Sequence, residues 1–363
     1  MKNIARLSLV ILCCISLQAN GNAQEKQYVV IDQDAAGPAG TDMLSILVLL
    51  QSPKVETLGI TVVTGDAWRD EEVVHALRLL EIVGRNDIPV IPGAELPLVR
   101  TQQWTALWEQ LYGEVPYKGA WNSGPRAHAA HEAPPLREGN PTTKPLNEDA
   151  AHFLIRMVRK YPHQVTIYEG GPMTNLALAL RLDSEFAELS KGLVFMGGSL
   201  NPQTTDPEFA TNPRREFNLW FDPEAAHVVL RAHWPSIVCT TVDVSVKTQL
   251  TPAMLAEISK AHTPVSEYLA RYSQPGQSYL WDELAAAAWL DPSLITGEKH
   301  VYMDVDLDRG AGYGDTLVRS KPSDDLQLVR AQMDVDMPKF ARMLIALMTG
   351  PTPGAHRTVA EHP

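Results

Sequence analysis

Hydrophobic and polar positions along the chain follow two alternating rhythms. Short apolar runs end at glycine or acidic residues, and segments with apolar residues at helical spacing follow them. Tyr28 to Ile31 reads as a strand, and an apolar segment of helical length begins at Asp42. Leu58 to Val63 reads as the next strand, closed by Gly65-Asp66. Glu71 to Val83 then places Val73, Val74, Leu77, Leu80 and Val83 on a helical face. Ile88 to Ile91 is a short strand before Pro92-Gly93, and Val165 to Tyr168 is another before Gly170-Gly171-Pro172. Thr174 opens a helix over Asn175 to Leu182, and Leu193 to Met196 is a strand closed by Gly197-Gly198. Ala225 to Ala232 reads as a helix, Ser236 to Val242 as a strand, and Leu284 to Ala288 as helix again. This order predicts an α/β fold: an open, mainly parallel sheet with helices on both faces.

Two stretches break the rhythm. Gly113 to Asn147 is dense in Pro, Gly, His and Asn, and Asn201 to Pro213 is a second aperiodic loop. Long loops of this kind in a compact domain are usually lids or disordered insertions; as lids, both could cover a site at one edge of the sheet. The start of the chain differs again. Lys2 and Arg6 precede the apolar stretch Leu7 to Leu17, and Asn22-Ala23 offers small residues for cleavage. That pattern predicts a signal peptide over residues 1–23, with residues 24–363 forming one domain exported to the periplasm or beyond. The apolar stretch is too short to span a bilayer, and no lipid anchor is expected because Leu12 precedes Cys13.

Charge narrows the partners. The formal net charge is −12, and cleavage would remove two basic residues and no acidic ones. An acidic chain is a poor partner for nucleic acid polymers or anionic membranes. Only Cys239 would remain after cleavage, so no internal disulfide is available; it sits in an apolar run and reads as a buried, inert thiol. The eleven histidines show no zinc spacing and read as surface or loop residues.

The chemistry begins where the first strand ends. Asp32, Asp34 and Asp42 crowd the mouth of one strand–turn–helix unit, and in open α/β sheets the ligand crevice lies at that end of the strands. Packed carboxylates repel unless a proton or cation intervenes, and an all-oxygen set suits Ca²⁺ or Mg²⁺. Helix capping by Asp42 is the plainer alternative. The glycines at 170 and 171 let backbone approach a ligand, and a carbonyl there is a neutral oxygen donor. Glu216 and Asn218, two apart in an apparently extended segment, would face one side and suit sugar hydroxyls. Asp282, after Trp281, opens the alanine-rich helix as a cap or a ligand.

Taken together these segments resemble the nucleoside hydrolase family of the inosine–uridine-preferring type. Asp32, Gln33, Asp34 and Asp42 match its opening motif. LGITVVTGD, GGPMTNLALALRLD, FMGGS, REFNLWFDPEAA and WDELAAAAWLDP match later blocks in order, and the likeness spans about Tyr28 to Leu347. The resemblance implies hydrolysis of the N-glycosidic bond of a small nucleoside, a bound Ca²⁺, and a dimer or tetramer. By position, Asp34, Asp42, Gly170 and Asp282 would hold the ion, and Asp34 would be the general base. Thr41, Asp66, Glu216, Asn218 and Trp281 would meet the substrate, with Asp32 supporting from behind. Trp281 stands where many members have His; in purine-preferring members a Trp stacks on the base, which implies purine salvage and a catalytic part for Trp281. Thr41 replaces an aspartate that contacts ribose, Asp66 replaces an asparagine, and the turn from Asp34 to Asp42 is longer than usual. Those departures keep two alternatives in view: an exported nucleoside- or sugar-binding protein without turnover, and a hydrolase of a related N-glycoside that is not a nucleoside.

Overall fold

A computed structural model describes residues 26–124, 127–322 and 325–356. The expected signal segment, 1–23, lies outside the described residues. Nine strands form one sheet: β1 (Gln27–Gln33), β2 (Val55–Val62), β3 (Val90–Pro92), β4 (Val165–Glu169), β5 (Gly192–Met196), β6 (Ile237–Thr240), β7 (Ile295–Val305), β8 (Thr316–Arg319) and β9 (Leu328–Val335). Their order is β3-β2-β1-β4-β5-β6-β9-β7-β8. Strands β1 to β6 and β9 run parallel, while β7 runs antiparallel to both β9 and β8. The fold is therefore the mainly parallel α/β sheet that the apolar rhythm predicts.

Side-chain alternation along each strand splits the core in two. In β1, Val29 and Ile31 enter one apolar layer and Val30 the other. The first layer holds the helices Thr41–Leu50, Arg69–Ile82, Trp281–Leu290 and Met337–Thr349. The second holds Ala150–Lys160, Thr174–Leu182 and Pro223–Leu230. Helix Thr41–Leu50 packs against Trp281–Leu290. The buried run Ala285 to Ala288 gives that second helix a low surface, so the two backbones approach closely and bring their N-termini together. Chain order steps outward from β1 in one direction and from β4 in the other. The crevice between them is the topological switch point, where ligands bind in open sheets.

Three expectations change. The strand expected over Ser236 to Val242 stops at Thr240, and Val242–Ser245 is a helical turn. Asp243 in that turn accepts hydrogen bonds from the Leu200 and Asn201 amides, both 2.9 Å, which ties it to the loop after β5. Glu216 to Asn218 is not a continuous extended segment: Glu216 is the N-cap of helix Phe217–Phe221. His75 is not a surface residue. It is buried, with its ring against Glu138 of the Pro-rich loop and Glu71 on its own helix. Among the described residues, no helix is long and apolar enough to cross a membrane.

Candidate active site

At the C-terminal ends of β1 and β4 a cavity of about 270 Å³ opens. Its walls include Asp34, Thr41, Asp42, Asp66, Gly170 and Asp282, together with Glu216, Asn218 and Trp281. Every residue the sequence places at the ion or the substrate therefore lines one space. Asp32 does not line it and lies behind.

Glycines make this convergence possible. A Cβ on Gly65 would come within 2.1 Å of the Asp34 carboxylate, and one on Gly171 within 2.9 Å of the Asp34 amide nitrogen. The turns after β2 and β4 can close on Asp34 only without side chains there. Asp34 is held by a hydrogen bond from the Asp66 amide, 3.0 Å. Asp32 is fully buried and accepts from Thr61 (2.6 Å) and Asn175 (2.8 Å), so it pins β1 to its neighbours. Burial is the main reason its carboxyl rises to about 6.

Asp42 and Asp282 both sit in the first turn of a helix, and neither caps it: the N-caps are Gly40 and Leu280, without side-chain bonds. The capping alternative for Asp42 therefore fails. Its Oδ2 accepts from the Ala36 amide at 3.1 Å. Gln33, the residue between the first two aspartates, donates to Asp282 at 3.1 Å and to Ser45 at 3.0 Å. In the sequence motif Gln33 is only the spacer between two aspartates, yet it orients an acid 249 positions away. Thr41 is similarly engaged. Its hydroxyl donates to buried Glu283 at 2.6 Å and accepts from the Asp282 amide at 3.2 Å.

The acids raise one another. Burial lifts Asp34 and Asp42 well above the usual carboxylate range, and neighbouring aspartates add to the shift. Asp282 rises to about 7 and Asp66 to about 6, again chiefly through burial. The Asp42 and Asp282 carboxyls interact directly, which raises Asp42 further and works against the rise of Asp282. Among the described residues no three such side chains already stand at metal-ligand spacing. The donor set nevertheless fits a hard cation: three buried carboxylates and the Gly170 carbonyl line one cavity, and a divalent charge would offset their mutual repulsion.

Glu216 accepts from three backbone amides: Asn218 at 2.7 Å, Gly198 at 3.0 Å and Leu219 at 3.0 Å. Asn218 donates to the Gly170 carbonyl at 3.1 Å and the Met196 carbonyl at 3.2 Å. Capping, rather than strand alternation, puts both on the cavity wall. The two aperiodic loops supply the rest. From the first, Tyr117 reaches the cavity and hydrogen-bonds Asp66; its ring packs edge-on to Phe217 at 5.0 Å. Gly119 fixes that loop: its φ is +53°, and a Cβ would meet the Gly65 carbonyl at 2.1 Å. From the second, a short helix, Pro207–Thr211, brings Glu208 and Phe209 to the wall. Neither loop has periodicity, so no sequence pattern marked Tyr117, Glu208 or Phe209.

Fold and cavity are those of a hydrolase that works with buried carboxylates. The chain belongs to the inosine-uridine preferring nucleoside hydrolase family, whose match covers residues 29–342. That family is metal-dependent. Among its relatives, uridine nucleosidase 1 of Arabidopsis thaliana is 30% identical over 295 residues, 78% of this chain and 80% of its own. A pyrimidine-specific ribonucleoside hydrolase of Klebsiella pneumoniae is 29% identical, covering 70% of this chain and 73% of its own. A solved plant nucleoside hydrolase superposes with a TM-score of 0.68 at 25% identity, covering 90% of this chain and 99% of its own. A purine-preferring ribonucleoside hydrolase from Gardnerella vaginalis has the same fold, with a TM-score of 0.71 at 24% identity over 90% of this chain and 99% of its own.

Proposed function

We propose that the protein is an exported, Ca²⁺-dependent hydrolase that splits purine ribonucleosides into free base and ribose, working as a dimer or tetramer. The observation that carries this reading is the single cavity shared by the carboxylate wall, the Glu216–Asn218 pair and Trp281. Asp34, Asp42, Asp282 and the Gly170 carbonyl would hold the ion. When bound, Ca²⁺ supplies a nearby positive charge that acidifies the attacking water. Asp34 takes that water's proton. Glu216 and the side-chain oxygen of Asn218 accept from hydroxyls of the sugar, the Asn218 amide hydrogens being held by the Gly170 and Met196 carbonyls, while Tyr117 with Asp66 borders the same space. Breaking the C–N bond leaves positive charge on the sugar ring, and the buried carboxylates are placed to stabilise it. Trp281 offers a flat face on which the base stacks. Thr41 holds Asp282 and Glu283 in place while keeping one lone pair toward the cavity.

A second reading concerns the base. The Arabidopsis and Klebsiella relatives act, by their names, on uridine and pyrimidine ribonucleosides, which favours a pyrimidine in the same position. One panel separates these readings. Purified protein with Ca²⁺ is incubated with inosine, guanosine, uridine, cytidine, nicotinamide riboside and an aryl riboside, and free base and reducing sugar are measured. Release from inosine and guanosine above uridine supports the purine reading, and the reverse order supports the pyrimidine one. Turnover confined to nicotinamide riboside supports a hydrolase of another N-glycoside. Micromolar binding without turnover on any substrate overturns hydrolysis in favour of a receptor.

A further inference from the structure

The departing base needs a proton, and Trp281 has none to give. Among the described residues, no histidine lines the cavity. Its carboxyl groups are nearly all committed. Asp34, Asp42 and Asp282 form the cation wall, Glu216 is bonded to three backbone amides, and Asp66 is bonded to Tyr117. Glu208 is the exception: among the described residues, no hydrogen bond reaches its side-chain oxygens.

Its placement suits the base rather than the sugar. Glu208 and Phe209 are neighbours on the helix Pro207–Thr211, and the Phe209 ring lies 5.8 Å from Trp281. Asp206 fastens that helix at its start. One Asp206 oxygen accepts from the Glu208 amide at 3.0 Å, and the other accepts from the Tyr279 hydroxyl at 3.2 Å. Tyr279 in turn packs edge-on to Trp281 at 5.0 Å. The short helix is thus tied to the stacking face by contacts on both of its sides.

We propose that Glu208 is the general acid of this site, donating its proton to a ring nitrogen of the leaving base. The inference rests on the hydrolase reading above. As the C–N bond breaks, its electron pair passes to the base, and the Glu208 O–H bond breaks to give the base its proton. Water forms the new C–O bond and leaves its proton on Asp34, and solvent returns a proton from Asp34 to Glu208. Base and sugar are the products, and both carboxyls are restored. The electrostatics support the role. Burial, with Asp206, Glu216 and Asp66 nearby, outweighs Arg215 and lifts the Glu208 carboxyl to about 7, so it carries a proton to give near neutral pH.

The test compares leaving groups. Wild-type protein and Glu208→Gln, each with Ca²⁺, are assayed on inosine, uridine and p-nitrophenyl riboside, whose nitrophenolate leaves without a proton. We expect Glu208→Gln to lose about 10²- to 10⁴-fold in kcat on the nucleosides and to stay within about threefold on the aryl riboside. Equal losses on both substrate types, or no loss on nucleosides, overturn Glu208 as the acid while leaving the hydrolase reading intact. A wild-type protein inactive on all three overturns that reading, and the inference with it.

Discussion

At the scale of single residues, like charges gathered away from water dominate. Asp42 is a buried acid whose neighbours and burial both disfavour its charge. Asp42→Asn should raise the metal-free thermal midpoint, because one member of a repelling set becomes neutral, and should abolish the stabilisation given by Ca²⁺. Differential scanning calorimetry with and without Ca²⁺ checks both signs. Asp34→Ala should cost about 10²-fold or more in kcat, read as free base released from the best nucleoside, if Asp34 takes the proton from water. Thr41→Val leaves the buried Glu283 carboxyl without its 2.6 Å partner, a loss of about 1–3 kcal/mol in urea denaturation; Thr41→Ser should recover most of it. His75 gives a pH signature away from the acids. Burial works against its charge, but Glu138 and Glu71 outweigh burial and hold its pKa above 6.5. The native state therefore binds the proton more tightly than the unfolded chain. The resulting stability is complete below about pH 6.5 and is lost as pH rises through the raised value. Urea midpoints of wild type and His75→Gln should diverge at pH 6 and converge at pH 9.

At the scale of elements, position depends on what the backbone lacks. Ala285 to Ala288 let two helices meet so that Asp42 and Asp282 share a wall. Ala286→Leu should overpack that contact by about 1–3 kcal/mol and weaken Ca²⁺ binding in the same variant, as measured by denaturation and titration calorimetry. Strands β1 to β6 were legible because each is a short, largely buried apolar run, whereas β9, though parallel to β6, alternates buried and exposed residues and left no such run. β7 was not: its first half, Ile295 to His300, is largely exposed and mixes Gly, Glu, Lys and His. The helical start at Phe217 was hidden because Glu216 satisfies the free amides, and nothing in Glu-Phe-Asn distinguishes a cap from a strand. The carboxylates could be read from their setting at strand and helix ends. Tyr117 and Glu208 could not, because loops place side chains through contacts such as the Gly119–Gly65 approach, which leave no period in the sequence.

At the scale of the whole molecule, stability and ligand are coupled. Three carboxylates in one wall lower the stability of the metal-free chain, and an ion that binds only the folded state adds back about 2.7 kcal/mol at a hundredfold excess over Kd. Chelation should lower the unfolding midpoint, and Ca²⁺ should restore it at lower concentration than Mg²⁺, which keeps its own waters and a stricter geometry. Equal responses to the two ions would reject the calcium assignment. A chain of net charge −12 should repel a polyanion.

The helix that begins at Trp281 supplies the last carboxylate, and it enters the chain late. A ribosome that has completed β1 through β6 has made Asp34 and Asp42 but not the side chain that faces them. Until some 280 residues have been joined, two acids wait at an unfinished rim, and no cation can be enclosed. An ion held there would join acids from the first strand and helix to one contributed late in the chain, so a product truncated ahead of that helix should neither retain calcium nor gain heat resistance from it.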